Sequence, residues 1–259
     1  MRLYDEVIHE SLHLLEAQSG KKLRTDVTGS WKDTGKDSMI LRSEMAYELG
    51  GDNLPAIGSQ MLTADQELVS GDEFWLYGKD LPEIRKNTAF ARLALVRVKE
   101  DIMGEGDALY NQIRRLEYTK YHMYPEGYMM RISAASEREM VRIGKDALRK
   151  GLDFEKIGNM FLRSYHKNPA VEAVKLIFLT MEDFPYRELE QQVKKAEQIT
   201  RAIDHILKDI AMNCQSCSLK QICVIPVLRE QTFFHHSSWF FNQIGSALCR
   251  CWCFVSLSQ

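Results

Sequence analysis

Residues 171–212 read VEAVKLIFLTMEDFPYRELEQQVKKAEQITRAIDHILKDIAM, and they join an apolar run to a long periodic segment. The run VKLIFLT within residues 171–180 is typical of a strand buried on both faces. In residues 186–212, apolar side chains recur every three or four positions, which predicts a long helix with one face against a core. These side chains are Leu189, Val193, Ala196, Ile199, Ile203, Ile206 and Ile210.

The segment before this strand alternates between predicted helices and strands. Residues 106–122 and 153–166 have helical periodicity, and residues 127–133 (GYMMRIS) favour a strand. Ser136 followed by Glu139 matches a capping box, which predicts a helix that runs to residue 150 and stops at Gly151.

The N-terminal part of the chain begins with a predicted amphipathic helix over residues 3–17, followed by a loop over residues 18–37. The apolar pattern then predicts three strands, at residues 39–48, 73–77 and 88–98. The inner face of the first helix is predicted to hold Leu3, Val7, Leu14 and Leu15. Together these elements predict an α+β fold: a mixed sheet with helices packed on it, a helical N-terminus and a long C-terminal helix.

Composition divides the chain into four parts. We predict an N-terminal helix and loop at residues 1–37, an α+β domain at 38–212, a cysteine loop at 213–224 and an atypical tail at 225–259. The tail contains only three charged side chains but seven aromatic ones. It fits a segment buried against a partner, an interfacial membrane contact, or a tail foreign to the fold, such as a shifted reading frame would produce.

Overall charge excludes some classes of partner. The 259 residues carry 34 basic and 36 acidic side chains, a formal net charge of -2. Nucleic-acid binding depends on neutralising many phosphates, so this balance argues against a nucleic-acid partner. No run reaches the roughly 18 unbroken apolar residues of a membrane-spanning helix, and the charged N-terminus is unlike a signal peptide. We therefore expect a cytoplasmic protein without a membrane span.

All six cysteines follow residue 213, and three of them form the motif Cys214-x2-Cys217-x5-Cys223. Thiolates at this spacing can reach one metal, and they select zinc, copper(I) or an iron–sulfur cluster. A fourth ligand would come from the tail, where the candidates are Cys249, Cys251, Cys253, His235 and His236. The alternative is that the three thiols bind nothing.

The first helix contains His9-Glu10-Ser11-Leu12-His13, which matches the H-E-x-x-H pattern. On a helix this spacing places both imidazoles on one face, where they could bind zinc with Glu10 as the base. The alternative, which the sequence favours, is a surface helix that happens to carry two histidines, because a third ligand is not evident from the sequence.

Basic residues and glycines supply two further candidates. A basic face for an anionic ligand, such as a nucleotide tail, could be formed by Arg114, Arg115, Arg131, Arg138, Arg142 and Lys145. The alternative is that nearby glutamates balance them. Gly50-Gly51 and Gly104-Glu105-Gly106 lack the spacing of phosphate-binding loops and are predicted to be turns.

Extended phrases resemble one known family. Residues 43–82, which include SEMAYELGGDNLPAIG and ELVSGDEFWLYGKDLPEI, resemble the acetyl-CoA synthase (beta) subunit of CO dehydrogenase/acetyl-CoA synthase complexes. The likeness continues over residues 107–181, through RISAASEREMVRIGKDALRKGLDFEKIGNMF and VKLIFLT, and covers about residues 40–223. The long helix and the cysteine loop fall where that family begins its metal-cluster domain.

The resemblance implies assembly of acetyl-CoA from CO, a methyl group delivered by a corrinoid iron–sulfur protein, and CoA. It also implies a CO dehydrogenase partner and a 4Fe-4S cluster, with Cys214, Cys217 and Cys223 among its ligands. The family holds a nickel with Cys-Gly-Cys, whereas this chain has Cys249-Arg250-Cys251, so nickel is not carried over. A partial synthase is the first interpretation. The alternatives are a non-catalytic iron–sulfur or partner-binding module on the same scaffold, and a zinc hydrolase that uses His9, Glu10 and His13.

Overall fold

The computed structural model describes residues 2–25, 31–36, 39–104, 106–132 and 138–207. The helices are α1 (Asp5–Glu16), α2 (Glu100–Met103), α3 (Gly106–Tyr121), α4 (Lys145–Arg149), α5 (Phe154–Tyr165) and α6 (Tyr186–Leu207), with a 3-10 turn at Leu81–Glu83. The strands are β1 (Lys21–Leu23), β2 (Met45–Leu49), β3 (Ala56–Thr63), β4 (Glu73–Tyr77), β5 (Phe90–Val98), β6 (Tyr128–Ile132), β7 (Glu139–Gly144) and β8 (Val171–Leu179). The α+β prediction is confirmed.

Five strands form a mixed sheet in the order β1-β4-β8-β5-β3. β4 runs parallel to β8 and β3 parallel to β5, whereas the central β5 and β8 pair antiparallel. Both central strands are almost entirely buried. The apolar run at residues 171–180 predicts this burial for β8. The alternation at residues 88–98 predicts a half-buried strand, so β5 is more buried than its sequence indicates.

Three further strands form a second, antiparallel sheet in the order β2-β7-β6. Its middle strand overturns one prediction, because residues 139–144 form β7 where the capping box predicts a helix. Val141 and Ile143 alternate with half-buried neighbours, and β-branched side chains at period two favour a strand. Only the short α4 remains of the predicted helix. Glu139 is not a capping residue, because its carboxylate is directed into the core.

Other differences concern short or weakly apolar strands. The strand predicted at residues 39–48 is confined to β2, and the predicted loop at residues 18–37 contains the three-residue β1. β3 is missed altogether, because its sequence AIGSQMLT interrupts the apolar pattern with Gly58, Ser59 and Gln60. The helix predicted at residues 186–212 is confirmed as far as Leu207, and its last residues lie outside the described part.

Helices cover the two faces of the five-stranded sheet. α5 packs on one face, where the ring of Phe154 lies 4.5 Å from that of Phe178 and 6.2 Å from that of Phe90, measured between centroids. The opposite face meets α1, where Thr63 Oγ1 donates a hydrogen bond of 2.7 Å to Asp5 Oδ1. Within the described residues, no helix is both long enough and apolar enough to cross a membrane.

Two carboxylates cap the N-terminus of α5: Asp80 Oδ1 accepts a hydrogen bond of 2.9 Å from the backbone N–H of Phe154, and Asp153 caps the next part of the turn. Asp153 Oδ1 accepts a hydrogen bond of 2.8 Å from the backbone N–H of Lys156, which satisfies a donor that the first helical turn leaves unpaired. We expect Asp153→Ala to lower the free energy of unfolding by about 1 kcal/mol, whereas Asp153→Asn retains the cap and most of the stability. Urea denaturation of the two variants measures this difference, and equal midpoints would contradict it.

Candidate functional site

The cysteine motif follows the helix α6 closely in sequence, but all six cysteines lie outside the described residues. The structure therefore describes the helix α6, which precedes the cysteine loop, but not the loop itself. At the start of α6, Tyr186 Oη donates a hydrogen bond of 2.9 Å to the carbonyl of Met181, next to β8. Farther along, Thr200 Oγ1 lies 2.9 Å from the hydroxyl oxygen of Tyr4. α6 is thus held both to the sheet and to the N-terminal segment.

Tyr4 makes this second attachment from a buried position. Its side chain is 1% exposed, and burial raises the pKa of its hydroxyl to about 12, although the hydrogen bond to Thr200 acts in the opposite direction. The hydroxyl therefore stays neutral at physiological pH and keeps its hydrogen bond to α6.

The H-E-x-x-H residues lie on the outer face of α1. His9, Glu10 and His13 are all exposed, and His13 Nε2 lies 3.9 Å from Glu16 Oε2. The buried face of the helix instead holds Val7, Ile8, Ser11 and Leu15, so Leu3, which is 41% exposed, and the half-buried Leu14 do not belong to it. Among the described residues, no group of three His, Cys, Asp or Glu side chains is placed to hold a metal ion. The predicted zinc site therefore gains no third ligand from this part of the chain.

Most side chains of the predicted basic face form hydrogen bonds or ion pairs with other residues of the chain. Arg131 Nη1 and Arg142 Nε each lie 3.1 Å from Glu48 Oε1 on the outer side of the three-stranded sheet. Arg138 Nη2 donates to the carbonyls of Gly50, at 2.8 Å, and Leu54. Lys145 Nζ donates to the carbonyl of Ser43 and Arg114 Nη1 to Glu117 Oε2. These contacts favour the interpretation that the charges are balanced locally.

A buried ion pair is the feature that sequence reasoning missed. Arg92, on β5, donates from Nη2 to Glu139 Oε1 at the start of β7, and the two side chains are 0% and 4% exposed. The pair thus connects the five-stranded sheet to the three-stranded sheet. The guanidinium also lies over the ring of Phe161, with its Cζ 4.4 Å from the ring centroid. In the sequence, the sign of this ion pair is the charged Arg92 inside the mainly apolar run TAFARLALVRV.

The surroundings of the pair are shaped to hold it. Gly58 on β3 pairs with Arg92, and a Cβ atom at this position would overlap the carboxyl group of Glu139. Arg92 Nε and Nη1, Glu139 Oε2 and the hydroxyl of Tyr128 are buried with no hydrogen-bond partner among the described residues. The absent side chain of Gly58 therefore makes room for the carboxylate between the two sheets.

The positive charge of Arg92 is stabilised by the side chains around it. Burial lowers the pKa of Arg92, but the charge of Glu139, with lesser contributions from Tyr128 and Tyr165, outweighs burial, and the net shift is upward. Burial also raises the pKa of Tyr128, which Arg92 only partly counteracts. The cluster thus holds a guanidinium beside a neutral phenol, in an interior where a lone charge would be very unfavourable.

The turn predicted at Gly50-Gly51 is confirmed, whereas the one predicted at residues 104–106 includes residue 105, which lies outside the described part. Gly50 has φ of +74° and Gly104 has φ of +71°, which is the left-handed region that glycine enters without strain. Gly50 is followed by Asp52 and Asn53, whose φ values of 54° and 60° are also positive. Arg138 binds both ends of this turn, so it serves as a structural clamp.

In the described residues, two sheets and the helices packed on them form an α+β scaffold, and the cysteine motif follows α6 in sequence. The sequence model of the CO dehydrogenase/acetyl-CoA synthase complex beta subunit matches residues 34–184. The chain belongs to this family. No curated protein matched the chain. The matched residues include β2 to β8, and they end before α6 and the cysteines.

Proposed function

We propose that this chain acts in the assembly of acetyl-CoA, joining CO, a corrinoid-borne methyl group and CoA, as a protein related to acetyl-CoA synthase. The observation that supports the proposal is the family match over residues 34–184, which includes β2 to β8 and the buried ion pair between the sheets. In this proposal the domain of residues 38–212 is the scaffold, residues 213–224 carry the metal centre, and the protein works in the cytoplasm. CO dehydrogenase and the corrinoid iron–sulfur protein are its proposed partners.

The donor set of the loop fits an iron–sulfur cluster in its chemistry. Cys214, Cys217 and Cys223 supply three soft thiolates, and a fourth ligand would come from the tail candidates at residues 235, 236, 249, 251 and 253. Such a centre, held by these cysteines, would supply the metal chemistry of the proposed acyl transfer. The contribution of the chain itself is rigid support, because α6 is bound to Met181 and Tyr4 before the loop begins.

Replacing Cys217 by alanine tests the cluster. We expect the wild-type chain, purified without oxygen, to contain iron and sulfide, and the Cys217→Ala variant to lose nearly all of both, because the cluster loses a thiolate ligand. Ser218→Ala, one position further along the same loop, is the matched control and should load normally. Undiminished iron in Cys217→Ala would reject the cluster assignment.

A second candidate function is an iron–sulfur or partner-binding module without synthase activity. It is favoured by one observation, namely that the family match ends at residue 184, before the cysteine motif. Nickel analysis separates the candidates. Iron with nickel supports the synthase, iron without nickel supports the module, and zinc alone supports a hydrolase or a structural zinc.

A further inference from the structure

The buried ion pair between the two sheets has polar atoms that no described residue binds. A guanidinium carries several N–H donors, and in Arg92 only Nη2 donates to a described partner, the Oε1 atom of Glu139. Arg92 Nε and Nη1, Glu139 Oε2 and the hydroxyl of Tyr128 are buried without a hydrogen-bond partner in the described part of the chain. Three donor groups and one carboxylate acceptor are thus unpaired there.

These atoms belong to side chains that interact with one another. The ion pair brings the guanidinium and the carboxylate into direct contact, so the unpaired atoms of both groups lie close together. Tyr128, on β6, is 2% exposed, and the charges of Arg92 and Glu139 both act on its hydroxyl. β5, β6 and β7 therefore each contribute a polar group to this cluster.

The neighbouring residues restrict how a ligand could reach the ion pair. The ring of Phe161 covers one face of the guanidinium, with its centroid 4.4 Å from Cζ. The N–H groups of a planar guanidinium point outward in its plane, so the ring does not satisfy them. Gly58 lies against the carboxylate, which occupies the space that a side chain would fill. A molecule that binds both ions would therefore lie in the plane of the guanidinium, next to the carboxylate.

The charges of the cluster favour a small neutral ligand. Arg92 and Glu139 compensate each other, and burial raises the pKa of Tyr128, which keeps its hydroxyl neutral. An added anion or cation would bring an unpaired charge into the interior, which is very unfavourable. The ligand must also accept from N–H groups and donate to a carboxylate. Water does both, and a buried water typically makes about three hydrogen bonds to polar groups that are otherwise unpaired.

We propose that a water molecule is bound between the two sheets, where it accepts a hydrogen bond from the guanidinium of Arg92, donates one to Glu139 Oε2 and forms a third with the hydroxyl of Tyr128. The bound water joins β5 of the larger sheet to β6 and β7 of the smaller one. It is independent of the cysteine loop and of the reaction proposed above, because all of its ligands lie in the scaffold.

A high-resolution crystal structure of the full chain tests the site directly. We expect density for an ordered water at about 2.7–3.2 Å from Arg92 Nε or Nη1, from Glu139 Oε2 and from Tyr128 Oη. A direct hydrogen bond from Nη1 to Oε2 with no water beside it would overturn the proposal. A donor from residues 133–137 bound to Oε2 in place of water would overturn it as well.

Tyr128→Phe tests the same site through stability, because the sign of its effect depends on whether the hydroxyl has a partner. Removing a hydroxyl that binds the water lowers the urea midpoint, whereas removing a buried hydroxyl without a partner leaves the midpoint unchanged or raises it. We expect a lower midpoint, and an unchanged or raised one would contradict the water site. Circular dichroism confirms that the variant is folded.

Two further tyrosines serve as matched controls. Tyr47 is buried and its hydroxyl donates a hydrogen bond of 2.6 Å to the carbonyl of Leu81, so Tyr47→Phe should lower the midpoint by an amount comparable to Tyr128→Phe. Tyr118 is 59% exposed, and Tyr118→Phe should leave the midpoint unchanged. An equal loss in Tyr118→Phe and Tyr128→Phe would count against the site, since it would not depend on burial of the hydroxyl.

Discussion

Replacing Glu139 by alanine is expected to lower the free energy of unfolding by about 3–5 kcal/mol, because it leaves a buried charge without its partner. The side chain of Arg92 is fully buried, and Glu139 is its ion-pair partner in the described structure. After the substitution the guanidinium would keep only the face of Phe161, 4.4 Å away, which is much weaker compensation than a carboxylate. Urea denaturation followed by circular dichroism measures the loss.

Two controls make this expectation specific. Glu190 forms an exposed ion pair with Lys194 at 2.9 Å, so Glu190→Ala should cost less than about 1 kcal/mol. The double variant Arg92→Met/Glu139→Leu removes both charges and keeps similar volumes, so it should recover most of the stability lost in Glu139→Ala. A loss below about 1 kcal/mol in Glu139→Ala would mean that the pair does not stabilise the sheet contact.

Replacing Gly58 by alanine is expected to cost about 3 kcal/mol, the upper end of the range for overpacked cores. The added methyl group would occupy the position of the Glu139 carboxylate, and the carboxylate cannot move away without leaving Arg92. The conformation of the backbone is not the reason, since Gly58 is not among the residues with positive φ. The loss of stability would therefore arise because the methyl group displaces the Glu139 carboxylate from Arg92.

A double-mutant cycle tests whether the cost of Gly58→Ala arises from the carboxylate of Glu139. In a Glu139→Ala background the carboxylate is gone and the Cβ of residue 139, at 3.0 Å, is the contact that remains, so Gly58→Ala should then cost only about 1 kcal/mol. Gly71→Ala is the matched control, because a Cβ at Gly71 would meet nothing within 4 Å, and it should change stability by no more than about 0.5 kcal/mol. An equal cost of Gly58→Ala in both backgrounds would show that the methyl group clashes with something other than the carboxylate.

Strong local patterns predicted the elements of the larger sheet well. The runs at residues 73–77, 88–98 and 171–180 correspond to β4, β5 and β8, and the periodic segment from residue 186 to α6. Each of these signals is contained in a few neighbouring side chains. β3 was missed because contacts with other elements, and not a local apolar pattern, explain Gly58, Ser59 and Gln60. The hydrogen bond of 2.8 Å between the side-chain amide of Gln60 and the hydroxyl of Tyr165 is an example.

The segment at residues 136–150 shows why a motif can mislead. Ser136 and Glu139 have the spacing of a capping box, but the glutamate is paired with Arg92, 47 residues away in the chain. A capping box is a local arrangement, whereas burial of a carboxylate beside a guanidinium depends on two sheets meeting. For the cysteine motif, the sequence predicts ligands and the described structure contributes the position of the supporting helix.

By itself the sequence determined the α+β class, the main strands and helices, and the likeness to the beta-subunit family that the match over residues 34–184 confirms. These follow from apolar periodicity and extended similarity, which are properties of neighbouring residues. Only the tertiary structure decided the division into two sheets and the buried pair of Arg92 and Glu139 that joins them. Such features join residues far apart in the chain, so their energies depend on packing and burial that no short stretch of sequence encodes.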